Sequence, residues 1–260
     1  MVTDESGSRP ARTAVVTGAS SGIGQAIAVA LGGLGWRVAV GARRVDKLAD
    51  TAEQITAAGG IPFARALDVT DPASVDDFFA ATEAALGPVD VLVNNAGIAQ
   101  PGALHDVDDD THRRVIETNL LGPIFTARRA VQSLLARDAP GDLVFISSDI
   151  TVHARPKMPA YGASKAGLEH LAHTLSLELE GTGIRSGVVR VGPTLTSFGD
   201  GWDAQIFESL LPEWERYGVQ RHWNTMDVTN VARAVVMMVT SDPGMFVPLV
   251  ELQPSPPRDL

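Results

Sequence analysis

Thr17-Gly18-Ala19-Ser20-Ser21-Gly22-Ile23-Gly24 decides how the rest of the chain is read. It follows a short apolar run, RTAVVT at 12–17, and opens an apolar-periodic stretch at 23–34, so it reads as a glycine turn joining a buried strand to a helix. Glycines permit the tight turn and a close approach of backbone to ligand. The helix start beyond them offers unpaired N–H groups and a partial positive charge, a combination suited to a pyrophosphate. The spacing is Gly-x3-Gly-x-Gly, and no Lys-Ser/Thr pair follows the last glycine, which separates it from a Walker loop. The same residues also match Gly-x-Ser-x-Gly with Ser20 at the centre, the pattern of a hydrolase nucleophile elbow. An elbow needs a sheet laid down before it, and here it follows the first strand.

Outward from this turn, strands and helices alternate. Further strands are expected at 37–42, 61–67, 89–94, 142–147, within 183–191, and at 246–252. Helices are expected at 46–58, closed by Gly59-Gly60, and from the Asp71-Pro72 start to 86, then at 110–136, 158–180 and 227–241. Most strands are apolar on both faces, the signature of a parallel sheet covered by helices on each side. The expected organisation is one α/β domain, 12–252, between a flexible tail at 1–11 and a Pro-rich tail at 253–260. Residues 194–226 break the rhythm and carry Phe198, Trp202, Phe207, Trp214, Tyr217 and Trp223, six of the chain's fourteen aromatics. A connection of that length suggests an active-site lid.

Composition narrows the function. A chain of 260 residues can bury roughly 70% of its unfolded surface and needs no staples. It has no cysteine, which excludes disulfides, thiolate nucleophiles and cysteine-ligated zinc. A net charge of −10 and a pI of about 5.0 weigh against nucleic acid as a partner. No apolar run reaches the length of a membrane helix, so no membrane partner is expected. The polar segment 1–10 has no signal h-region, so a cytoplasmic location is expected.

Five segments stand in order: TGASSGIG (17–24), NNAG (94–97), TNLLG (118–122), ISS (146–148) and YGASK (161–165). With them the chain resembles the short-chain dehydrogenase/reductase family, closely over 12–192 and loosely beyond. The resemblance implies a Rossmann-type doubly wound sheet of seven parallel strands in the order 3-2-1-4-5-6-7, assembled as a homotetramer or homodimer.

The chemistry of the last motif can also be argued from its residues. Tyr161 and Lys165 are four apart on an expected helix and share a face. A lysine cation about 4.5 Å away at an effective dielectric of 20 would stabilise a phenolate by roughly 3–4 kcal/mol, about 2–3 pKa units. With the further positive charge of an oxidised nicotinamide, Tyr161 is expected to act as an acid/base near neutral pH. Ser148, thirteen residues earlier at a strand's carboxyl end, would by resemblance orient and polarise the substrate oxygen. Its neighbour Ser147 points to the opposite sheet face. Asn119 matches the family asparagine that holds a proton-relay water beside the lysine. The implied reaction is hydride transfer between a nicotinamide and a secondary alcohol or ketone.

The cofactor is expected along Gly18, Ser20, Ser21, Gly22, Ile23 and Gly24, then Asp68-Val69 at the adenine, and Asn95, Ala96 and Gly97. Tyr161, Lys165, Gly192, Thr194 and Thr196 follow at the nicotinamide end. Where an NAD enzyme places an acid at the end of the second strand, this chain has Ala42 followed by Arg43 and Arg44. Guanidinium forks match a 2′-phosphate, so NADP(H) is expected ahead of NAD(H). Ser21 departs from the basic residue often found in the glycine loop, and Val191 from the usual proline after the sixth strand. The usual Asp-Gly-Gly after the last strand is also missing. Phe198 and Trp202 are the expected substrate contacts, with Met158 and His153 as further candidates, for a bulky apolar substrate: alicyclic, terpenoid or steroid-like. An NAD(H)-preferring enzyme and a catalytically silent cofactor sensor are the alternatives. His170 and His173 lack a third partner for a metal, and the acidic run Asp106, Asp108, Asp109, Asp110 suits a helix start better than a calcium loop.

Overall fold

β1 (Thr13–Thr17) is buried at every position, which is why it lies inside a sheet rather than at its edge. The computed structural model describes residues 11–199, 202, 204–219 and 222–257. The expected loose tail lies outside these apart from Ala11, as do residues 258–260 of the Pro-rich tail. After β1 come α1 (Gly22–Gly32), β2 (Arg37–Ala42), α2 (Val45–Ala57), β3 (Ile61–Ala66), α3 (Pro72–Leu86) and β4 (Val91–Asn94). The second half runs α4 (Asp109–Ile116), α5 (Gly122–Ala136), β5 (Gly141–Ser148), α6 (Pro159–Glu178), β6 (Ile184–Val191), α7 (Ala204–Arg216), α8 (Val228–Thr240) and β7 (Leu249–Leu252). The seven strands are parallel in the order β3-β2-β1-β4-β5-β6-β7, as expected.

Period-two alternation sorts the sheet's residues between two cores. Ala14, Val16, Val38, Val40, Val91 and Val93 pack with Ile27 and Leu31 of α1 and Val231 and Val235 of α8. Val15, Ala39, Leu92, Leu143 and Phe145 pack on the other face with Phe78 and Phe79 of α3 and Leu168 of α6. Helix starts are fixed locally. Asp71 accepts from Ala73 N–H ahead of Pro72, Asp108 from Thr111 N–H, and Asp227 from Thr229 N–H. Part of the acidic run thus caps and charges the N-terminus of α4.

Two expectations change. The single helix over 110–136 is interrupted by a π turn, Glu117–Leu121, where the Gly122 N–H reaches back five residues to the Glu117 carbonyl. Pro123 supplies the reason: it has no N–H to give the Asn119 carbonyl, so the regular ladder cannot pass through this point. The segment 194–226 is not a plain connection, because it holds α7 and a 3-10 turn, Ser197–Gly199. Pro212 lies inside α7. The Thr194–Met226 bridge draws both ends of the segment together.

Candidate active site

The carboxyl ends of β1 and β4 meet where the strand order reverses, the crevice in which doubly wound sheets take ligands. Thr17 Oγ1 accepts from the N–H groups of Asn95 and Ala96, at 3.0 Å each. Asn95 Nδ2 donates to the carbonyls of Thr17 (3.0 Å) and Gly18 (3.1 Å). Asn95 therefore braces the glycine loop from below. Gly18 has φ +65°, and a Cβ there would lie 2.7 Å from Ala96 Cα. A Cβ on Gly24 would overlap Asn95 Nδ2 and lie 2.5 Å from the Gly18 carbonyl oxygen.

Nucleotide fit follows from how α1 begins. Ser21 is its N-cap residue in extended backbone, yet its side chain does not cap the helix, and no acid lies in the first turn. The dipole end is left for an incoming anion. Gly22 faces the side chain of Thr196, 3.6 Å from where its Cβ would stand, so the loop and the segment after β6 form the two lips of one slot. Ile23 packs against the first core behind the slot. Thr194 Oγ1 donates to the Gly192 carbonyl at 2.9 Å, and Gly192 N–H bonds to the Leu252 carbonyl, so these positions are held despite Val191 replacing proline. At the far end, Arg44 donates to Ser20 Oγ at 3.1 Å and stands 3.5 Å from Ser21 Oγ. Arg43 lies in the field of Asp68, whose carboxylate accepts from Thr70 N–H and Oγ1. Val69 packs against the start of α5 at Gly122. The site fits a dinucleotide, which when bound would supply the hydride chemistry.

Next to this slot the structure brings Asn119, Ser148, Tyr161 and Lys165 together from the π turn, β5 and α6. Lys165 Nζ donates to the Ile146 carbonyl at 2.8 Å and stands 5.8 Å from the Tyr161 ring centroid. The Ser148 side chain lies close enough to the Tyr161 hydroxyl to favour its ionised form. Asn119 is fully buried and saturated: Oδ1 accepts from Ile98 N–H at 2.8 Å, while Nδ2 donates to the Ile98 carbonyl at 2.8 Å and to Ser164 Oγ at 3.0 Å. It ties the end of the NNAG segment to the helix carrying Tyr161 and Lys165. Between them, Gly97 leaves an opening toward Asn119 Oδ1 and Lys165 Nζ, 3.4 and 3.5 Å from where its Cβ would stand.

The electrostatics without cofactor differ from what the lysine alone suggests. Burial pushes Tyr161 up to about 12, against the downward pull of the Ser148 side chain. The residue as a whole is half-buried, but its hydroxyl end is desolvated. Burial also holds Lys165 down at about 8, against the upward pull of Glu169. The i, i+4 lysine therefore does not by its presence make an acidic tyrosine; desolvation is the largest influence on both groups. Positive charge brought by an oxidised cofactor would act in the direction that frees the proton.

Several participants were not expected from the sequence. Asp149, directly after Ser148, forms a two-pronged ion pair with Arg155 at 2.7 and 2.8 Å, and both side chains are over 90% buried. An acid ending an apolar strand is the sequence signal that a partner must exist. Glu169, one turn past Lys165, accepts from Ser147 Oγ (2.8 Å), Thr151 Oγ1 (2.9 Å) and the Arg190 guanidinium (2.7 and 3.0 Å). Burial would raise its carboxyl, and those donors together hold it below its ordinary value. Ser147 thus faces away from the reaction, as its register predicts.

Above Tyr161 the aromatic segment forms a ladder. Phe198 lies 5.7 Å from the Tyr161 ring, Trp202 6.2 Å from Phe198, and Phe207 6.3 Å from Trp202. Trp202 Nε1 donates to the Ala99 carbonyl at 3.1 Å, fastening the segment across the slot. Trp214 of α7 donates to the Pro156 carbonyl at 3.1 Å and lies against Arg155. Met158 is buried at the N-cap of α6 and His153 is exposed. Among the described residues no three acidic or histidine side chains converge as a metal site, and no helix is long and apolar enough to cross a membrane.

Comparison with known proteins agrees with this geometry. Residues 12–206 match the family described as short chain dehydrogenase. A 3beta-hydroxysteroid dehydrogenase of Eggerthella lenta is 36% identical over 209 residues, 77% of this chain and 79% of that protein. The solved alcohol dehydrogenase of Thermococcus sibiricus, complexed with 5-hydroxy-NADP, is 29% identical. It superposes with a TM-score of 0.79 over 94% of this chain and 96% of that one. A metagenomic short-chain oxidoreductase in complex with NADP is 31% identical, with a TM-score of 0.76 over 94% and 97%. With the glycine slot, the seven-stranded order and the Asn119-Ser148-Tyr161-Lys165 cluster in place, the chain belongs to the short-chain dehydrogenase/reductase family, as an oxidoreductase of that type.

Proposed function

We propose that the protein is an NADP(H)-dependent oxidoreductase that moves a hydride between the nicotinamide and a secondary alcohol or ketone on a bulky apolar frame. One observation carries the cofactor choice: Arg44 reaches Ser20 and Ser21 at the rim of the glycine loop, beside Arg43 and with Ala42 in place of a ribose-binding acid. A guanidinium held there matches a 2′-phosphate in charge and geometry. The solved relatives complexed with NADP and 5-hydroxy-NADP support the same reading. The Phe198-Trp202-Phe207 ladder supports an apolar substrate, as does the likeness to a hydroxysteroid dehydrogenase. In this reading Tyr161 gives its proton to the carbonyl oxygen in reduction, or takes it from the alcohol in oxidation. Ser148 holds that oxygen in place. A cytoplasmic homotetramer or homodimer completes the proposal, and light scattering tests the assembly.

Nicotinamide fluorescence on titration with NADPH and NADH tests the cofactor. NADPH should bind more tightly. Arg43→Ala and Arg44→Ala should each weaken NADPH by about tenfold, the loss of one charge-assisted contact, and leave NADH within about twofold. Equal losses for both cofactors would refute the assignment. Apolar ketones and secondary alcohols are then screened with the tighter cofactor, and Tyr161→Phe should abolish turnover while sparing cofactor binding.

A further inference from the structure

Directly beneath the reacting hydroxyls lies a buried charge pair that the hydride chemistry does not use. Ser148 Oγ donates to Asp149 Oδ1 at 3.3 Å, and the Ile150 N–H points back at Ser148 Oγ from 3.4 Å. Asp149 is gripped on both oxygens by Arg155. Gln253, from the segment after β7, stands 3.4 Å from Asp149 Oδ2. Arg155 in turn lies 5.7 Å from the Trp214 ring of α7. The result is a chain of contacts from the lid helix through Arg155 and Asp149 to Ser148.

We propose that Asp149 and Arg155 are positioning residues. Asp149 takes the Ser148 hydroxyl proton in a hydrogen bond and so fixes how the Ser148 hydroxyl is turned beside Tyr161, and Arg155 offsets the charge that Asp149 brings to the site. Hydroxyl geometry carries this. A carboxylate cannot donate, so Ser148 must be the donor in its contact with Asp149, and its oxygen is left as an acceptor, the role it has toward the Ile150 N–H. A substrate oxygen that takes the Ser148 proton must first compete with Asp149 for it.

The charges facing Tyr161 come from three elements. Lys165 lies on its own helix, Asp149 on the turn after β5, and Arg155 on the loop before α6. From the lid, the neutral ring of Phe198 faces Tyr161. Asp149 disfavours the phenolate and Arg155 favours it. Glu169 acts on Lys165 and is itself paired with Arg190. The inference rests on the reading of Tyr161 as the acid/base, but its test needs neither cofactor nor substrate.

The chain has two tyrosines, Tyr161 and the exposed Tyr217. In the full-length protein carrying Tyr217→Phe, the ring resonance of labelled tyrosine reports the ionisation of Tyr161 alone, while circular dichroism follows the fold. Asp149→Asn should move the Tyr161 titration down by about one unit. Arg155→Met should keep Tyr161 protonated to a higher pH than in the parent. Asp149→Asn with Arg155→Met should return it toward the parent. Should Arg155→Met fail to fold, the rise from Asp149→Asn to the double variant supplies the same comparison. Shifts of opposite sign are the signature of charge, since a loss of packing alone would not reverse direction between the two variants. Shifts of one sign, or none, would overturn the proposal. Absent turnover with the opposite-signed shifts intact would remove the oxidoreductase reading and leave the positioning role standing.

Discussion

Asn119→Ala is expected to cost more than any surface change of its size. Asn119 is fully buried and makes three hydrogen bonds, two of them to the backbone of Ile98 and one to Ser164. At roughly 1 kcal/mol net for each bond the loss is about 3 kcal/mol. In a chain of this size that is a fall of roughly 6–12 °C in melting temperature. The same change frees the end of the NNAG segment from α6, so cofactor affinity should fall with stability. Asn119→Asp sharpens the test. It keeps an acceptor for the Ile98 N–H but puts a second acceptor oxygen where Nδ2 donated, facing the Ile98 carbonyl and Ser164 Oγ, which already donates to the Tyr161 carbonyl at 2.7 Å. Burial and repulsion raise the pKa of the introduced carboxyl. The folded state then holds its proton over a range where the unfolded state has released it, so stability should fall as pH rises from about 4, the ordinary carboxyl value, up to the raised folded value, and stay lowered above it. Urea unfolding across pH, read by circular dichroism, measures both variants. An Asn119→Ala loss under about 1 kcal/mol, or an Asn119→Asp protein as stable as the parent at neutral pH, would refute the bracing role.

Other sites offer independent checks. Gly24→Ala should abolish nucleotide binding and lower stability by about 1–3 kcal/mol, because its Cβ meets Asn95 Nδ2 and a backbone oxygen that cannot move aside; calorimetric titration with NADPH and a melting curve test both. Lys165 is held at about 8 when folded against an ordinary 10.5. Between those values the unfolded chain binds the proton that the folded one has lost, so its contribution makes stability rise with pH, by at most about 1.4 kcal/mol per unit. Lys165→Met should flatten that rise, and an unchanged slope in denaturant titrations from pH 8 to 10 would count against it. Trp214→Ala removes the bond to the Pro156 carbonyl and the face against Arg155. Limited proteolysis should then cut the 194–226 segment several-fold faster, and a cutting rate equal to the parent's would deny Trp214 that fastening role.

Much of the architecture was legible from local pattern. Strand-helix alternation follows from apolar periodicity, and the seven-stranded order from the family resemblance that the five motifs carry. The Gly18–Gly24 turn and the Tyr161–Lys165 pair are each set by neighbours within one or two helical turns, which is why a linear reading finds them. Arg43 and Arg44 were visible as charges, and the fold adds that Arg44 reaches Ser20 and Ser21.

What eluded the linear reading depends on residues far apart in the chain. The π turn at Glu117–Leu121 looked like unbroken helix, and what it serves, the Asn119–Ile98 and Asn119–Ser164 bonds, forms only when three segments meet. Asp149–Arg155 and Glu169–Arg190 are ion pairs whose partners are chosen by packing. The Tyr161 hydroxyl shows the difference most directly. Its lysine neighbour four residues on predicts a lowered pKa, but burial reverses the sign without cofactor. Periodicity and short-range spacing are properties of the chain and can be read along it. Desolvation is a property of everything packed around an atom, and it exists only once β5, α6 and the aromatic segment have closed over Ser148 and Tyr161.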